Sequence, residues 1–167
     1  PEPGKNAWEI RLAAPQSMHP KAIGLDSCSE STRQATAFKA MQTGLVSLSP
    51  PLQLLHDSPQ DTGFLLMLPV HYRGLAHPSN VSGWVFANLR THDLFDFLRK
   101  DTSLNTNLSL FITDITDGEI ELFANSDSPD KVESSRNRIR LHHNPRLMRE
   151  EKIEFGGRIW RINISGN

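Results

Sequence analysis

Gly63-Phe64-Leu65-Leu66-Met67-Leu68-Pro69-Val70 is the longest apolar run of the chain. Eight residues suit a strand and fall far short of the ~20 that a membrane helix needs. Apolar side chains at both odd and even positions predict a central strand covered on both faces. The flanking segments fit that reading. Upstream, Leu45–Leu55 is apolar but interrupted by Pro50-Pro51. Proline has no amide hydrogen to give a ladder, so this stretch is expected as an edge strand or two short extended pieces. The His56–Thr62 turn leads into the run, and downstream, after the polar stretch 73–82, Gly83–Leu89 reads as a second buried strand.

Further out, Trp8-Glu9-Ile10-Arg11-Leu12 alternates apolar and polar and reads as a strand. Ser27-Cys28-Ser29-Glu30 has the spacing of a capping box, a serine and a glutamate bonding each other's amides. The helix after it is expected to present Ala35, Phe38 and Met41 on one face and to stop at Thr43-Gly44. Thr91 or Asp93 is expected to cap a short helix carrying Leu94, Phe95 and Leu98. The second half reads as strands: Leu108–Asp114, Glu119–Phe123, Ile139–Leu141, Lys152–Phe155 and Arg158–Ser165. Asp117-Gly118 and Gly156-Gly157 supply the tight turns. In the last strand Trp160 is expected opposite the face of Ile162 and Ile164. The order predicts an α+β fold with antiparallel sheets. A seam is expected in the polar stretch Asp101–Thr106.

Composition limits the function. The 167 residues carry 18 Lys+Arg and 19 Asp+Glu, a net charge of −1. That leaves no basic footprint for nucleic acid. An apolar share of 37% excludes a disordered chain, and one cysteine excludes a disulfide framework. Charge is uneven: residues 131–167 hold 9 basic and 4 acidic side chains. This reads first as a solvated face, with an anionic membrane or partner as the alternative. There is no initiator Met, and the chain is expected to be an excised piece of a longer protein.

Signatures of specific chemistry are absent. There is no P-loop, dinucleotide loop, paired CxxC, HExxH or Gly-x-Ser-x-Gly elbow. His142-His143 are adjacent, so on a strand they point apart and suit no shared metal. Asp114, Asp117 and Glu119 lack the alternating oxygens of a calcium loop and are expected as a hairpin turn. No catalytic residue, metal or cofactor is implied.

One constellation stands out. Ala22-Ile23-Gly24-Leu25-Asp26 precedes the capped helix, which ends at Thr43-Gly44. Ser49-Pro50-Pro51-Leu52 follows, then Gly63–Val70, then Gly83-Trp84-Val85-Phe86, and at the end Phe155-Gly156-Gly157-Arg158-Ile159-Trp160. This order resembles the CHASE family, the extracytoplasmic sensory domain of transmembrane histidine kinases and diguanylate cyclases. The family's long N-terminal stalk helix is missing. Where members often have a tyrosine this chain has His71, with Tyr72 one place later.

The resemblance implies a CHASE-type tandem of two PAS-like modules. Residues 1–100 would be the membrane-distal, ligand-binding module and 101–167 the membrane-proximal one. It places the domain on the periplasmic or extracellular side of the inner (plasma) membrane, tethered by flanking helices. It implies homodimers through the stalk, and a cytoplasmic output as in two-component systems. The domain itself would not be an enzyme. By resemblance to the cytokinin receptors, Asp26 would accept hydrogen bonds from a small-molecule ligand. Leu48, Ser49, Leu65, Met67 and Phe86 would line the pocket. Met67 and Phe86 replace small residues of those receptors, which predicts that adenine-type cytokinins do not bind. The alternatives are a PAS-like binding module of a chemotaxis receptor and a small hydrolase.

Overall fold

The computed structural model describes residues 8–14, 22–27, 29–54, 62–72, 80–100, 108–125 and 147–166. The expected Ile139–Leu141 strand and His142-His143 lie outside them. The chain divides into two compact units, Pro1–Arg90 and Thr91–Asn167. The helix after Arg90 therefore belongs to the second unit, whereas the sequence reading kept it with the first.

In the first unit, helix α1 spans Ser31–Thr43. Glu30 is its N-cap: its carboxylate accepts the amides of Thr32 and Arg33 at 2.8 and 3.0 Å. Burial pushes that carboxyl up, but the hydrogen bonds from Thr32 and Arg33 and the Arg33 charge outweigh it, so its pKa is lowered. The cap is thus Glu30 rather than Ser27. Glu30 alone reaches both orphan amides and meets the positive end of the helix dipole. The helix stops at Gly44, whose φ of 68° is a left-handed conformation that costs glycine little.

The buried face of α1 also differs from expectation. It consists of Arg33, Thr36, Ala37 and Ala40, while Phe38 is 40% exposed. Two alanines let the helix approach the sheet closely, and a phenylalanine would hold it away. Buried Arg33 is satisfied by donating from Nη2 to the Gln53 carbonyl at 2.9 Å.

The first sheet is antiparallel and centred on β3 (Thr62–His71). One side of β3 pairs with β4 (Val81–Arg90), Met67 facing Phe86 and Pro69 facing Trp84. The other pairs with β1 (Ser47–Leu48) and β2 (Leu52–Gln53), the two pieces expected around Pro50-Pro51. Two expectations need correcting. The second half of β3 alternates, with Leu68 and Val70 exposed, and β4 is half-exposed, with Val85 at 61%. Only one face of the sheet's later part lies against α1, so only one set of side chains is covered there. Trp8–Leu12 likewise forms no ladder strand but a single bridge, Glu9 to Asp26.

The second unit holds α2 (Thr91–Lys100) and the sheet β6-β5-β8-β7, all neighbours antiparallel. Its strands are β5 (Leu108–Asp114), β6 (Ile120–Ala124), β7 (Leu147–Phe155) and β8 (Arg158–Gly166). Thr91 is the first helical residue and its hydroxyl has no hydrogen-bond partner among the described residues, so it does not cap. Phe95 packs on Phe123 and Trp160. The register sets Trp160, Ile162 and Ile164 on one face with Ile112, leaving Ile159 outward. Trp160 therefore joins those isoleucines instead of opposing them.

Two hairpins of this sheet are tied by buried charge. Arg158, 3% exposed, donates from Nε to Asp114, 1% exposed, at 2.5 Å, and from Nη1 to Asp117 at 3.0 Å. The expected turn at Asp117-Gly118 is thus also the partner of the β8 arginine. Burial pushes the Asp114 carboxyl up. The hydrogen bonds from Arg158 and Thr116 and the Arg158 charge together win, and its pKa falls below the ordinary 3.8.

Three measurements follow from this packing. A Cβ on Gly63 would stand 2.5 Å from the Leu89 carbonyl oxygen and from Leu54 Cδ1, so Gly63→Ala is expected to cost ~1–3 kcal/mol in urea unfolding. Arg158→Ala strands two carboxylates, one of them buried, and is expected to cost ~3–5 kcal/mol. A lowered pKa means that Asp114 stabilises the fold fully above 3.8, and that this contribution is lost as pH falls through the still lower native value. An acid titration of native protein against Asp114→Asn checks this: the difference in stability should be present at neutral pH and shrink below 3.8.

Candidate ligand-binding site

The site begins with strand alternation. Side chains two apart on β3 share a face, and antiparallel partners share it too. Ser47 faces Met67, and Met67 faces Phe86. Ser49, Leu65, Met67 and Phe86 therefore point to the side where Ala37 and Ala40 of α1 pack. Leu48 faces Leu66 and points to the opposite side, apart from the other four.

Burial divides these residues further. Leu65 and Met67 are core, closed off by Ala37 and Ala40. Ser49 is committed to the backbone: it donates to the Pro50 carbonyl at 2.7 Å and accepts the Leu65 amide at 2.9 Å. Its hydroxyl closes the ladder where the prolines break it. Phe86 is only partly buried and packs on the rim of the cluster with Trp84, Trp8 and Leu52.

Trp8 and Trp84 give the rim its shape, and the sequence reading included neither. Trp84 donates from Nε1 to the Ala37 carbonyl at 3.1 Å, which fixes its ring between sheet and helix. The Trp8 indole stacks on it at 4.1 Å and 20°, and meets Phe38 edge-on at 5.5 Å. Trp84 was within reach of the two-residue period, since it sits two places before Phe86. Trp8 left no such signal, because its partners are far away in sequence.

Asp26 lies off the sheet, on the segment that holds Trp8. Its Oδ1 accepts the Trp8 amide at 3.1 Å, and its backbone carbonyl accepts the Ser29 hydroxyl at 3.1 Å. Ser27 donates both its amide, at 3.0 Å, and its hydroxyl, at 3.1 Å, to the Trp8 carbonyl. Trp8 thus joins the Asp26 carboxylate to the α1-facing side of the sheet. The result is a half-buried aromatic rim with a carboxylate acceptor beside it. Such a surface suits a planar or apolar group bearing an N–H donor. No group of three His, Cys, Asp or Glu among the described residues could hold a metal ion.

The role of Ser49 gives a direct test. Ser49→Ala leaves the buried Leu65 amide without its acceptor, and stability is expected to drop by ~1–3 kcal/mol in chemical denaturation.

The model of the CHASE domain family matches residues 2–123. That span contains all of the first unit's described elements and every candidate ligand residue, while the Phe155–Trp160 hairpin lies beyond it. No curated protein matches the chain.

Proposed function

Because the chain belongs to the CHASE domain family, whose members are extracellular sensor domains of signalling receptors, we propose that its first unit binds a small molecule and that this binding sets the output of a cytoplasmic histidine kinase or diguanylate cyclase. The observation that carries this reading is the rim itself: Trp8, Trp84 and Phe86 beside α1, with the Asp26 carboxylate hydrogen-bonded to Trp8. An ionised carboxylate only accepts hydrogen bonds, and such charge-assisted bonds contribute on the order of 1.5–3 kcal/mol. The two units are read as PAS-like modules, the first distal and the second next to the membrane. Flanking helices tether them on the periplasmic or extracellular side, and a stalk helix pairs two copies. A ligand shifts the receptor only by its different affinity for two states of the module.

Met67 and Phe86 face each other across β3 and β4. Their bulk supports the view that an N6-substituted adenine finds no room there.

The test is a thermal-shift screen of this chain with amino acids, organic acids, purines and aromatic amines. A ligand at ~100 times its dissociation constant adds ~2.7 kcal/mol of stability. A stabilising compound that loses its effect in Asp26→Ala supports the reading. Stabilisation by kinetin would overturn the exclusion of cytokinins, and stabilisers indifferent to Asp26 would move the site elsewhere.

A further inference from the structure

Trp8 is held in three places, and each is a bond from its own Cα. Its amide donates to Asp26 Oδ1 at 3.1 Å. Its carbonyl accepts the Ser27 amide at 3.0 Å and the Ser27 hydroxyl at 3.1 Å. Its side chain stacks on Trp84 at 4.1 Å and lies edge-on to Phe38 at 5.5 Å. Nitrogen, carboxyl carbon and indole are also the three functional groups of free tryptophan.

We propose that this triple contact is a binding site for a free aromatic L-α-amino acid of the tryptophan type, and that Trp8 occupies it as a tethered stand-in. The inference rests on the reading of the first unit as a ligand-binding module and names the ligand class for it. A free amino acid carries an ammonium where Trp8 has an amide, and Asp26 accepts from it with charge assistance. It carries a carboxylate where Trp8 has a carbonyl, and Ser27 donates to it from two groups. All three hydrogen bonds are shorter and stronger in the charged form. The ring needs no new surface, since Trp84 is already fixed by its bond to the Ala37 carbonyl. Three different substituents held at one carbon also select the L configuration.

Trp8 must leave for the ligand to enter. Among the described residues, its segment is also held by Ile10 donating to the Leu25 carbonyl at 2.9 Å and by Gly24 donating to the Ile10 carbonyl at 2.9 Å. A tethered competitor of this kind acts at an effective concentration of order mM. The apparent affinity of the free amino acid is reduced by the fraction of time that the site is open. Entry of the ligand therefore exchanges one indole for another and frees the N-terminal segment. That release is a movement a receptor can read.

The experiment is calorimetric titration with L-tryptophan of the native chain and of Trp8→Ala, whose fold is checked by far-ultraviolet circular dichroism. Trp8→Ala should bind at least ~tenfold more tightly than native protein, as expected for a site open ~10% of the time or less. D-Tryptophan and 3-methylindole should bind at least tenfold more weakly to the same variant. Adding Asp26→Asn should lower its L-tryptophan affinity at least tenfold. If Trp8→Ala does not fold, Trp8→Phe keeps a ring on Trp84 and should still bind L-tryptophan more tightly than native protein. A folded variant that ignores L-tryptophan overturns the proposal. So does one that takes 3-methylindole equally well with no dependence on Asp26, since that is a hole being filled. A non-aromatic compound that stabilises native protein through Asp26, while L-tryptophan fails, would retain the sensor function and reject this ligand class alone.

Discussion

The close approach of α1 to β3 is the constraint on which the first unit depends. Ala37 and Ala40 put almost nothing between helix and sheet, and both are fully buried over Leu65 and Met67. Large side chains cannot enter that layer and are displaced to its margin. Trp8, Trp84 and Phe86 collect there half-buried, with the exposed Phe38 edge-on to Trp8, and form the candidate site. The hydrogen bond from Trp84 Nε1 to the Ala37 carbonyl belongs to the same arrangement, since only a helix this close offers its backbone to a strand's side chain. The core and the site are therefore two results of one packing decision.

The sheet opposite α1 depends on a local repair. Pro50 and Pro51 split the strand that pairs with one edge of β3, and β1 and β2 are the remnants. At the break, Ser49 takes the Leu65 amide on its hydroxyl. A serine in this place reads from sequence as a ligand contact as readily as a backbone partner. Geometry alone separates the two, because the same atom lies within hydrogen-bond reach of Leu65 and of Pro50. The second unit has a comparable fastening of opposite character, a buried arginine with two aspartates from the facing hairpin.

The elements were legible in the sequence wherever a local rule decides them. Gly44 ends α1, the proline pair divides β1 from β2, and Gly156-Gly157 turns β7 into β8, all as their conformational preferences require. Which residues face inward was less legible. The helical face is one that only the neighbouring sheet selects, and Phe38 looked like core until the alanines took that place. The cap went to Glu30 because a carboxylate three residues closer competes better than the Ser27 hydroxyl, which bonds Trp8 instead. Strand alternation puts Leu65, Met67 and Phe86 on one face but does not tell core from rim: Leu65 and Met67 are buried under α1, and only Phe86 stands at the margin. Trp8 was not legible at all, since its stacking on Trp84 is set by tertiary contact and leaves no spacing to read.

Strand β7 ends its sheet among the described residues, so one row of its amides and carbonyls faces away from β8. Along nine residues, Leu147–Phe155, it has charges at Arg149, Glu150, Glu151, Lys152 and Glu154, and Glu150 and Glu151 occupy its middle. An antiparallel pairing of two copies about either central residue sets a glutamate against its own image. Like charges directly opposite each other are destabilising. The strand thus carries its own deterrent against edge-to-edge growth, the hazard of any open sheet. Sheet extension is therefore a poor route to self-assembly along this edge.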